Sequence, residues 1–186
     1  MKNTKIKNVK TILKAIPFDV EECDIEINSS ATKHPFYRLK IKDWVNILAV
    51  TKEGEAILIK QDRIGAEESV LEAPGGVVDR GEETSTQIAA LRELEEETGY
   101  TSNRVISLGA VNPNPAINTN LVHFYLALDA VLPEKRKFFP DEYENIEICK
   151  VTLNELPSLL MKNKVNHALS CLLIHRALDY LGNAAK

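Results

Sequence analysis

Glutamate side chains recur at helical spacing in the middle of the chain, and this pattern constrains the fold most. Residues at i, i+3 and i+4 of a helix share one face, so Glu93, Glu96 and Glu97 converge while Glu95 points elsewhere. Like charges at these spacings cost a free helix about a few tenths of a kcal/mol each. A bound cation reverses that cost, but an ordinary solvated surface tolerates it, so the helix alone leaves both interpretations open.

Local signals predict where this helix begins and ends. Helical periodicity runs from about Ser85 to Thr98, and Thr84 followed by Gln87 matches a capping box. Gly99 can adopt the left-handed conformation that ends many helices. We therefore predict one helix that carries all four glutamates.

A glycine pair precedes the helix and changes how its carboxylates are interpreted. Gly75 and Gly76 let the backbone approach a ligand closely and present carbonyl or amide groups to it. Clustered hard oxygen donors suit Mg²⁺ or Mn²⁺, and Mg²⁺ prefers a few carboxylates completed by waters and phosphate oxygens. The pattern therefore indicates a metal site that acts on a diphosphate.

Runs of β-forming residues predict strands on both sides of the helix. Gly54 suits the turn of a hairpin between residues 45–50 and 55–60. We expect an α/β fold with a mixed sheet packed between helices. The other predicted strands cover residues 11–20, 24–29, 36–41, 105–111, 121–128 and 146–151, and further helices cover 153–161 and 168–181.

Composition limits the class of protein. The formal net charge is -4 and the basic residues are scattered, so the basic stripe of a nucleic-acid-binding protein is absent and no nucleic-acid partner is expected. The sequence shows no secretory signal and no apolar stretch that could span a membrane, and its three cysteines lack metal-ligand spacing. We expect a cytoplasmic protein with reduced thiols and no membrane partner.

Residues Gly76 to Tyr100 resemble the Nudix box, G-x5-E-x7-R-E-U-x-E-E-x-G-U, in which U is a bulky apolar residue. The half from Arg92 to Tyr100 fills every specified position if Tyr100 counts as bulky and apolar. Nine residues separate Glu82 from Arg92, two more than the family pattern has. The family's first glutamate supports the loop, so Glu82 or Glu83 would have to reach across this longer junction.

The resemblance implies roles for the box residues. Glu93 and Glu97 would bind metal directly, and Glu96 would bind an additional ion. The carbonyl of Gly75 would add a further ligand, and Arg92 belongs to the implied catalytic set. The implied fold is a Nudix-type α/β/α sandwich, with residues 43–186 as the hydrolase domain and residues 1–42 as a small antiparallel β section.

Segments outside the box look like the ADP-ribose and nucleotide-sugar pyrophosphatase branch of this family. These segments are Trp44-Val45-Asn46, Gln61-Asp62-Arg63 and Leu71 to Gly76. Glu72 lies in the last of them and is a candidate substrate-binding residue. Arg63 could hold a phosphate oxygen, since a guanidinium can bind phosphate through two nitrogens.

Two loops supply the remaining candidates. Pro115 lies where the ADP-ribose branch carries a proline on the substrate side, and Asn120 stands where some bacterial enzymes of that branch carry a glutamate. That difference favours a broader nucleotide-sugar specificity. The acidic run Asp141 to Glu144 resembles the loop that supplies the general base, with Glu142 at the matching position and Glu144 as the alternative.

The resemblance implies a Mg²⁺-dependent hydrolase that converts ADP-ribose or another nucleoside diphosphate sugar into a nucleoside monophosphate and a sugar phosphate. The branch also implies a homodimer formed through the N-terminal β section. One alternative is a house-cleaning pyrophosphatase of nucleoside triphosphates. Another is a Nudix-fold sensor that binds ADP-ribose without cleaving it.

Overall fold

The structure, a computed structural model, describes residues 4–28, 30–32, 34–79, 81–82, 84–140 and 145–184. The chain divides into two compact units. Unit 1 comprises Met1–Asp43 and Val111–Val122, and unit 2 comprises Trp44–Ala110 and His123–Lys186.

Unit 1 contains an antiparallel sheet whose central strand is β2. Its strands are β1 (Thr4–Leu13), β2 (Phe18–Ile27), β3 (Ser30–Ala31) and β4 (Phe36–Ile41). β1 pairs along one edge of β2, and β3 and β4 pair along the other. The predicted strand over residues 11–20 is wrong, because the chain turns between Leu13 and Phe18, where Pro17 has no N–H to continue a ladder.

The later segment of unit 1 docks on β4. Asn118 bridges Leu39 in parallel, and the Thr119 N–H donates to the Leu39 carbonyl at 3.1 Å. The Asp43 carboxylate accepts a hydrogen bond of 2.9 Å from the N–H of Leu121. Residues far apart in sequence thus share one small sheet.

Unit 2 is built on a sheet in which the strand order is β11-β6-β5-β10-β9. β7 also pairs with β6, and β8 pairs with β5. The predicted hairpin around Gly54 is confirmed, since β5 and β6 pair on either side of that turn. The strands are β5 (Trp44–Val50), β6 (Glu55–Arg63), β7 (Glu68–Glu72), β8 (Gly75–Val77), β9 (Arg104–Val111), β10 (Val122–Leu128) and β11 (Ile146–Thr152).

Helix α1 (Thr86–Thr98) packs its apolar side on this sheet. Ala90 and Leu94 are fully buried beside Ile47 and Tyr125 in one core cluster. Complete burial of a side chain the size of leucine contributes about 1.5–3 kcal/mol. This packing therefore fixes how α1 is rotated, and with it where the glutamate face points.

The ends of α1 confirm one sequence signal and contradict another. Gly99 has φ of 77° and donates its N–H to the Glu95 carbonyl, so the predicted C-terminal cap is confirmed. The capping box at Thr84 is wrong, because Ser85 is the N-cap and makes no side-chain capping hydrogen bond. With Ser85 as the cap, the position for the reciprocal acid or amide falls on Ile88, which has neither group.

Two further helices complete unit 2, α2 (Leu156–Met161) and α3 (Ala168–Ala184). α2 begins later than predicted, with Pro157 in its first turn, where a missing N–H costs nothing. α3 buries Leu173, Ile174 and Ala177 and packs on β5. None of the helices in the described part of the chain is long and apolar enough to cross a membrane.

Candidate active site

The guanidinium of Arg92 lies at the centre of the acidic cluster. Its Nε and Nη2 donate to the two oxygens of Glu82 at 3.0 and 3.2 Å, and Nη2 also donates to the Val77 carbonyl at 3.0 Å. Nη1 lies 3.0 Å from Glu93 Oε1 and 2.6 Å from Glu96 Oε2. One cation therefore joins the loop before α1 to two of the glutamates on the helix face.

This arrangement answers how the longer junction is accommodated. Glu82 reaches Arg92 with both oxygens and accepts the Asp79 N–H at 2.9 Å, so it ties the loop to the helix despite the two extra residues. Glu83, the alternative, lies outside the described residues. The Ser85 N–H, just before α1, donates to the Glu82 carbonyl at 2.9 Å.

The electrostatic environment shifts the pKa values of Arg92 and Glu82 in the cluster. Burial lowers the pKa of Arg92, but the hydrogen bond to Glu82 and the charges of Glu93, Glu96 and Glu82 outweigh it, so the pKa is raised. The hydrogen bond from Arg92 is in turn the main cause that lowers the pKa of Glu82. Arg92 and Glu82 therefore each favour the charged form of the other.

The glycine pair lies directly against the helix glutamates. The Gly75 N–H donates to Glu97 Oε2 at 2.8 Å. A Cβ atom on Gly76 would lie 2.4 Å from Glu93 Oε1, and one on Gly75 would lie 2.2 Å from the Val45 carbonyl. Only glycine permits this approach, so the metal candidates Gly75, Glu93 and Glu97 are brought together as expected from the sequence.

The segment from Glu72 to Gly75 is held at every residue. Ser170 Oγ accepts the Ala73 N–H at 3.0 Å, and the Pro74 carbonyl accepts the Ile47 N–H at 2.9 Å. The Asn46 amide lies 3.4 Å from the carbonyls of both Ala73 and Pro74. These contacts make the backbone beside the carboxylates rigid.

Glu72 is fully buried at the start of this segment. Its Oε1 accepts a 2.8 Å hydrogen bond from Arg63 Nε, and its Oε2 lies 2.9 Å from Nδ1 of His167. Burial raises the pKa of Glu72, but the hydrogen bond from His167 and the nearby Arg63 outweigh burial and lower it. The sequence interpretation missed His167 and Ser170, and no motif surrounds them in the sequence.

The far end of α1 also anchors a later segment. Arg136 Nη2 donates to the Glu96 carbonyl at 2.6 Å, and the Lys137 N–H donates to the buried carboxylate of Glu95. A cation at a helix C-terminus satisfies a carbonyl that has no partner within the helix and opposes the helix dipole. Residues 136 and 137 thus join α1 just before the acidic run that begins at Asp141.

The donor set fits a hard divalent cation in its chemistry, because every candidate ligand is an oxygen atom and negative charge exceeds the single guanidinium. The described residues nevertheless contain no group of three or more His, Cys, Asp or Glu side chains arranged to hold a metal ion. Protein donors occupy the carboxylates instead: Arg92 lies between Glu93 and Glu96, and Gly75 binds Glu97.

The remaining candidates lie elsewhere in the chain. Pro115 and Asn120 belong to unit 1. Asn120 is buried, and both polar atoms of its side chain lack a hydrogen-bond partner among the described residues. Glu142 and Glu144, the candidate bases, fall outside the described residues.

We predict that Glu82→Gln destabilises the protein at neutral pH by about 1–3 kcal/mol, because it weakens a charge-assisted hydrogen bond. The folded-state pKa of Glu82 lies below its ordinary value of 4.5, so this stabilisation is present above that value and disappears as the pH falls through the folded pKa. Thermal unfolding measured from pH 7 downward should show the two proteins converging in acid. A constant difference at all pH values would contradict this, and Glu134→Gln, at an exposed site, is the control.

Comparison with known proteins agrees with this geometry. The family model described as the NUDIX domain matches residues 41–172, which is more than half of the chain. The ADP-ribose pyrophosphatase of Bacillus subtilis (strain 168) is 37% identical over 156 residues, which are 83% of this chain and 80% of that protein. The ADP-ribose pyrophosphatase of Saccharomyces cerevisiae (strain ATCC 204508 / S288c) is 36% identical over 128 residues, 64% of this chain and 54% of that protein.

The fold also has a close counterpart among solved structures. A crystal structure of an ADP compounds hydrolase superposes with a TM-score of 0.83, covering 99% of this chain and 97% of that one at 24% identity. This match confirms the predicted α/β fold with its antiparallel N-terminal strands. Since the family model spans residues 41–172, which include the acidic cluster, and the ADP-ribose pyrophosphatases are 36% and 37% identical to it, the chain belongs to the Nudix hydrolase family, in its ADP-ribose pyrophosphatase branch.

Proposed function

We propose that the chain hydrolyses the diphosphate of ADP-ribose or of a related nucleoside diphosphate sugar. The observation that carries this proposal is the gathering of Glu93 and Glu97 against the Gly75-Gly76 backbone, with Arg92 holding Glu93 and Glu96. The relatives named ADP-ribose pyrophosphatase support the substrate class. The products are a nucleoside monophosphate and a sugar phosphate.

We assign the metal, Mg²⁺ or alternatively Mn²⁺, to the carboxylates of Glu93, Glu96 and Glu97 and the carbonyl of Gly75. A bound divalent ion would neutralise charge on the phosphates and lower the pKa of an attacking water. Arg92 lies 3.0 Å from Glu93 and 2.6 Å from Glu96, so in this proposal it positions the ligands. The Gly75 N–H does the same for Glu97.

The reaction needs one water and one base. The water oxygen attacks one phosphorus, the bridging P–O bond breaks, and the bridging oxygen leaves with the other phosphate. We assign the water proton to Glu142, with Glu144 as the alternative. The anchoring of residues 136 and 137 to α1 supports this assignment, since that segment immediately precedes the acidic run.

Arg63 is the proposed cation for the diphosphate itself. Its Nε is bound to Glu72, which leaves Nη1 and Nη2 for phosphate oxygens. Glu72 acts in this proposal by holding Arg63. We keep Pro115 and Asn120 as substrate-side residues, and the unpaired, buried amide of Asn120 supports a polar contact that a ligand would complete.

We further propose a cytoplasmic homodimer formed through unit 1. β1 exposes Ile6, Val9, Ile12 and Leu13, each between 45% and 54% accessible. Apolar side chains exposed along one edge strand are typical of a surface that a second copy covers. The pairing would resemble that implied by the family.

We expect Mg²⁺-dependent release of a nucleoside monophosphate from ADP-ribose, with weaker activity on other nucleoside diphosphate sugars. Glu97→Gln should reduce kcat/KM by at least about 100-fold, because a direct ligand is lost. Product analysis across ADP-ribose, GDP-mannose, UDP-glucose and nucleoside triphosphates measures both. Faster triphosphate cleavage would favour a house-cleaning enzyme, and binding without turnover would favour a sensor. Normal turnover by Glu97→Gln would overturn the metal assignment.

The choice of base is tested by Glu142→Gln and Glu144→Gln. Loss of a general base lowers kcat by about 10²- to 10⁴-fold, and substrate binding should be retained. We expect this loss for Glu142→Gln alone, measured by steady-state kinetics and by calorimetric titration with ADP-ribose. The same loss in Glu144→Gln instead would exchange the two roles. An unchanged kcat in both variants would exclude the acidic run as the source of the general base.

The dimer is tested by light scattering, which should give about twice the 20.8 kDa mass of one chain. Val9→Glu places a charge on the apolar face of β1 and should shift the protein toward monomer, whereas Lys10→Glu on the same strand should not. A monomeric wild-type protein at micromolar concentration would contradict the proposal.

A further inference from the structure

We infer that His167 is a positioning residue for the hydrolysis, because it fixes the buried carboxylate that holds the Arg63 guanidinium. The inference rests on the proposed function, in which Arg63 contacts the diphosphate. His167 itself precedes α3 and is remote in sequence from both partners. It acts on the substrate only through Glu72.

The carboxylate of Glu72 requires two partners. A buried, ionised carboxylate costs several kcal/mol unless its oxygens are paired. Arg63 Nε donates to Oε1 at 2.8 Å, whereas Oε2 makes no hydrogen bond of good geometry and has Nδ1 of His167 beside it at 2.9 Å as an ion-pair contact. If His167 is removed, Oε2 loses this contact and the carboxylate can rotate or take up a proton. Either change releases the side chain of Arg63.

The position of the imidazole hydrogen follows from its neighbours. Nδ1 lies 2.9 Å from Glu72 Oε2 and 2.9 Å from Ser170 Oγ. A bare nitrogen lone pair this close to a carboxylate would be repelled, so Nδ1 carries a hydrogen, which lies between its hydrogen-bond partner Ser170 Oγ and the Glu72 carboxylate. This holds for the neutral ring and for the imidazolium alike. The positioning role therefore requires a donor at Nδ1 and does not depend on the charge of the ring.

Neighbouring contacts hold the imidazole in place. Ser170, one helical turn later, receives the Ala73 N–H at 3.0 Å, and the Asn166 amide donates to Glu68 Oε1 at 2.9 Å. Glu68 and Glu72 lie on the same face of β7, because side chains four residues apart along a strand point the same way. The start of α3 is thus held on both sides of His167, by Asn166 to β7 and by Ser170 to Ala73 just after β7.

The contact with Glu72 can orient the guanidinium of Arg63. Its side chain is 45% accessible, and Glu72 is its one side-chain partner among the described residues. With Nε fixed, both Nη groups project in a defined plane, as bidentate phosphate binding requires. Ordering a long side chain on binding costs about 0.5–1.5 kcal/mol. A mobile Arg63 guanidinium should therefore bind the diphosphate about 3- to 10-fold more weakly than a guanidinium that is already fixed.

The test compares His167→Ala, His167→Asn and His167→Gln with His175→Ala, an exposed histidine of α3. The amide nitrogen of asparagine can replace Nδ1, whereas that of glutamine lies near the position of Nε2. We expect His167→Ala and His167→Gln to raise KM for ADP-ribose about 3- to 10-fold, with kcat and the Mg²⁺ concentration for half-maximal rate within about twofold of wild type. His167→Asn should restore KM, and His175→Ala should match wild type.

A double-mutant cycle identifies the route of the effect. In an Arg63→Ala background, His167→Gln should no longer raise KM, since the group it positions is absent. A purely structural role would instead lower the melting temperature and kcat in every background. Should His167→Ala fail to fold, the comparison of asparagine with glutamine still decides the matter.

The inference is overturned if His167→Gln leaves KM unchanged, if asparagine and glutamine behave alike, or if the increase persists without Arg63. Failure of the proposed function has a different signature. In that case the wild-type protein itself would release no product from any of the diphosphates, whatever residue occupies position 167.

Discussion

The contacts of the partly buried Arg92 guanidinium are the interaction on which the catalytic half of the molecule depends. It joins the loop residue Glu82 to Glu93 and Glu96 on α1 and also binds the Val77 carbonyl of β8. Exposed ion pairs contribute at most about 1 kcal/mol, and removing one partner of a buried pair costs about 3–5 kcal/mol. Arg92 lies between these cases, since 14% of its side chain is accessible. Its contacts hold loop, helix and strand in a single relative arrangement.

The charge of the cluster also explains why hydrophobic packing alone could not create the site. Ala90 and Leu94 fix the rotation of α1 on the sheet, which brings the glutamate face toward the glycine pair. Packing alone leaves several carboxylates close together, at an electrostatic cost. Arg92 offsets part of that cost, and a divalent cation would offset the remainder. Arg92 and a bound cation would therefore act on the same side chains, each lowering the repulsion among them.

Much of this arrangement could be predicted from the sequence, because the signals were local. The spacing of the glutamates predicted α1. Gly99 predicted its end, because glycine readily takes the left-handed conformation of a C-terminal cap and this signal depends on a single residue. The capping box failed because the helix begins one residue later, with Ser85 as the N-cap. The short strand β8 was not predicted, because its glycines are disfavoured in strands and only pairing with β5 makes them one.

The network at Glu72 could not be predicted, because no local rule connects its members. Ser170 contacts Ala73 across 97 positions of sequence, and His167 has neither motif nor spacing that relates it to β7. The complete burial of Glu72 bears on its role. Replacing a buried ion pair by well-packed apolar side chains is often neutral or stabilises a protein by about 1–4 kcal/mol. The general tendency gives no stability reason for a fully buried carboxylate between Arg63 and His167, which is why we relate Glu72 to the orientation of the Arg63 guanidinium.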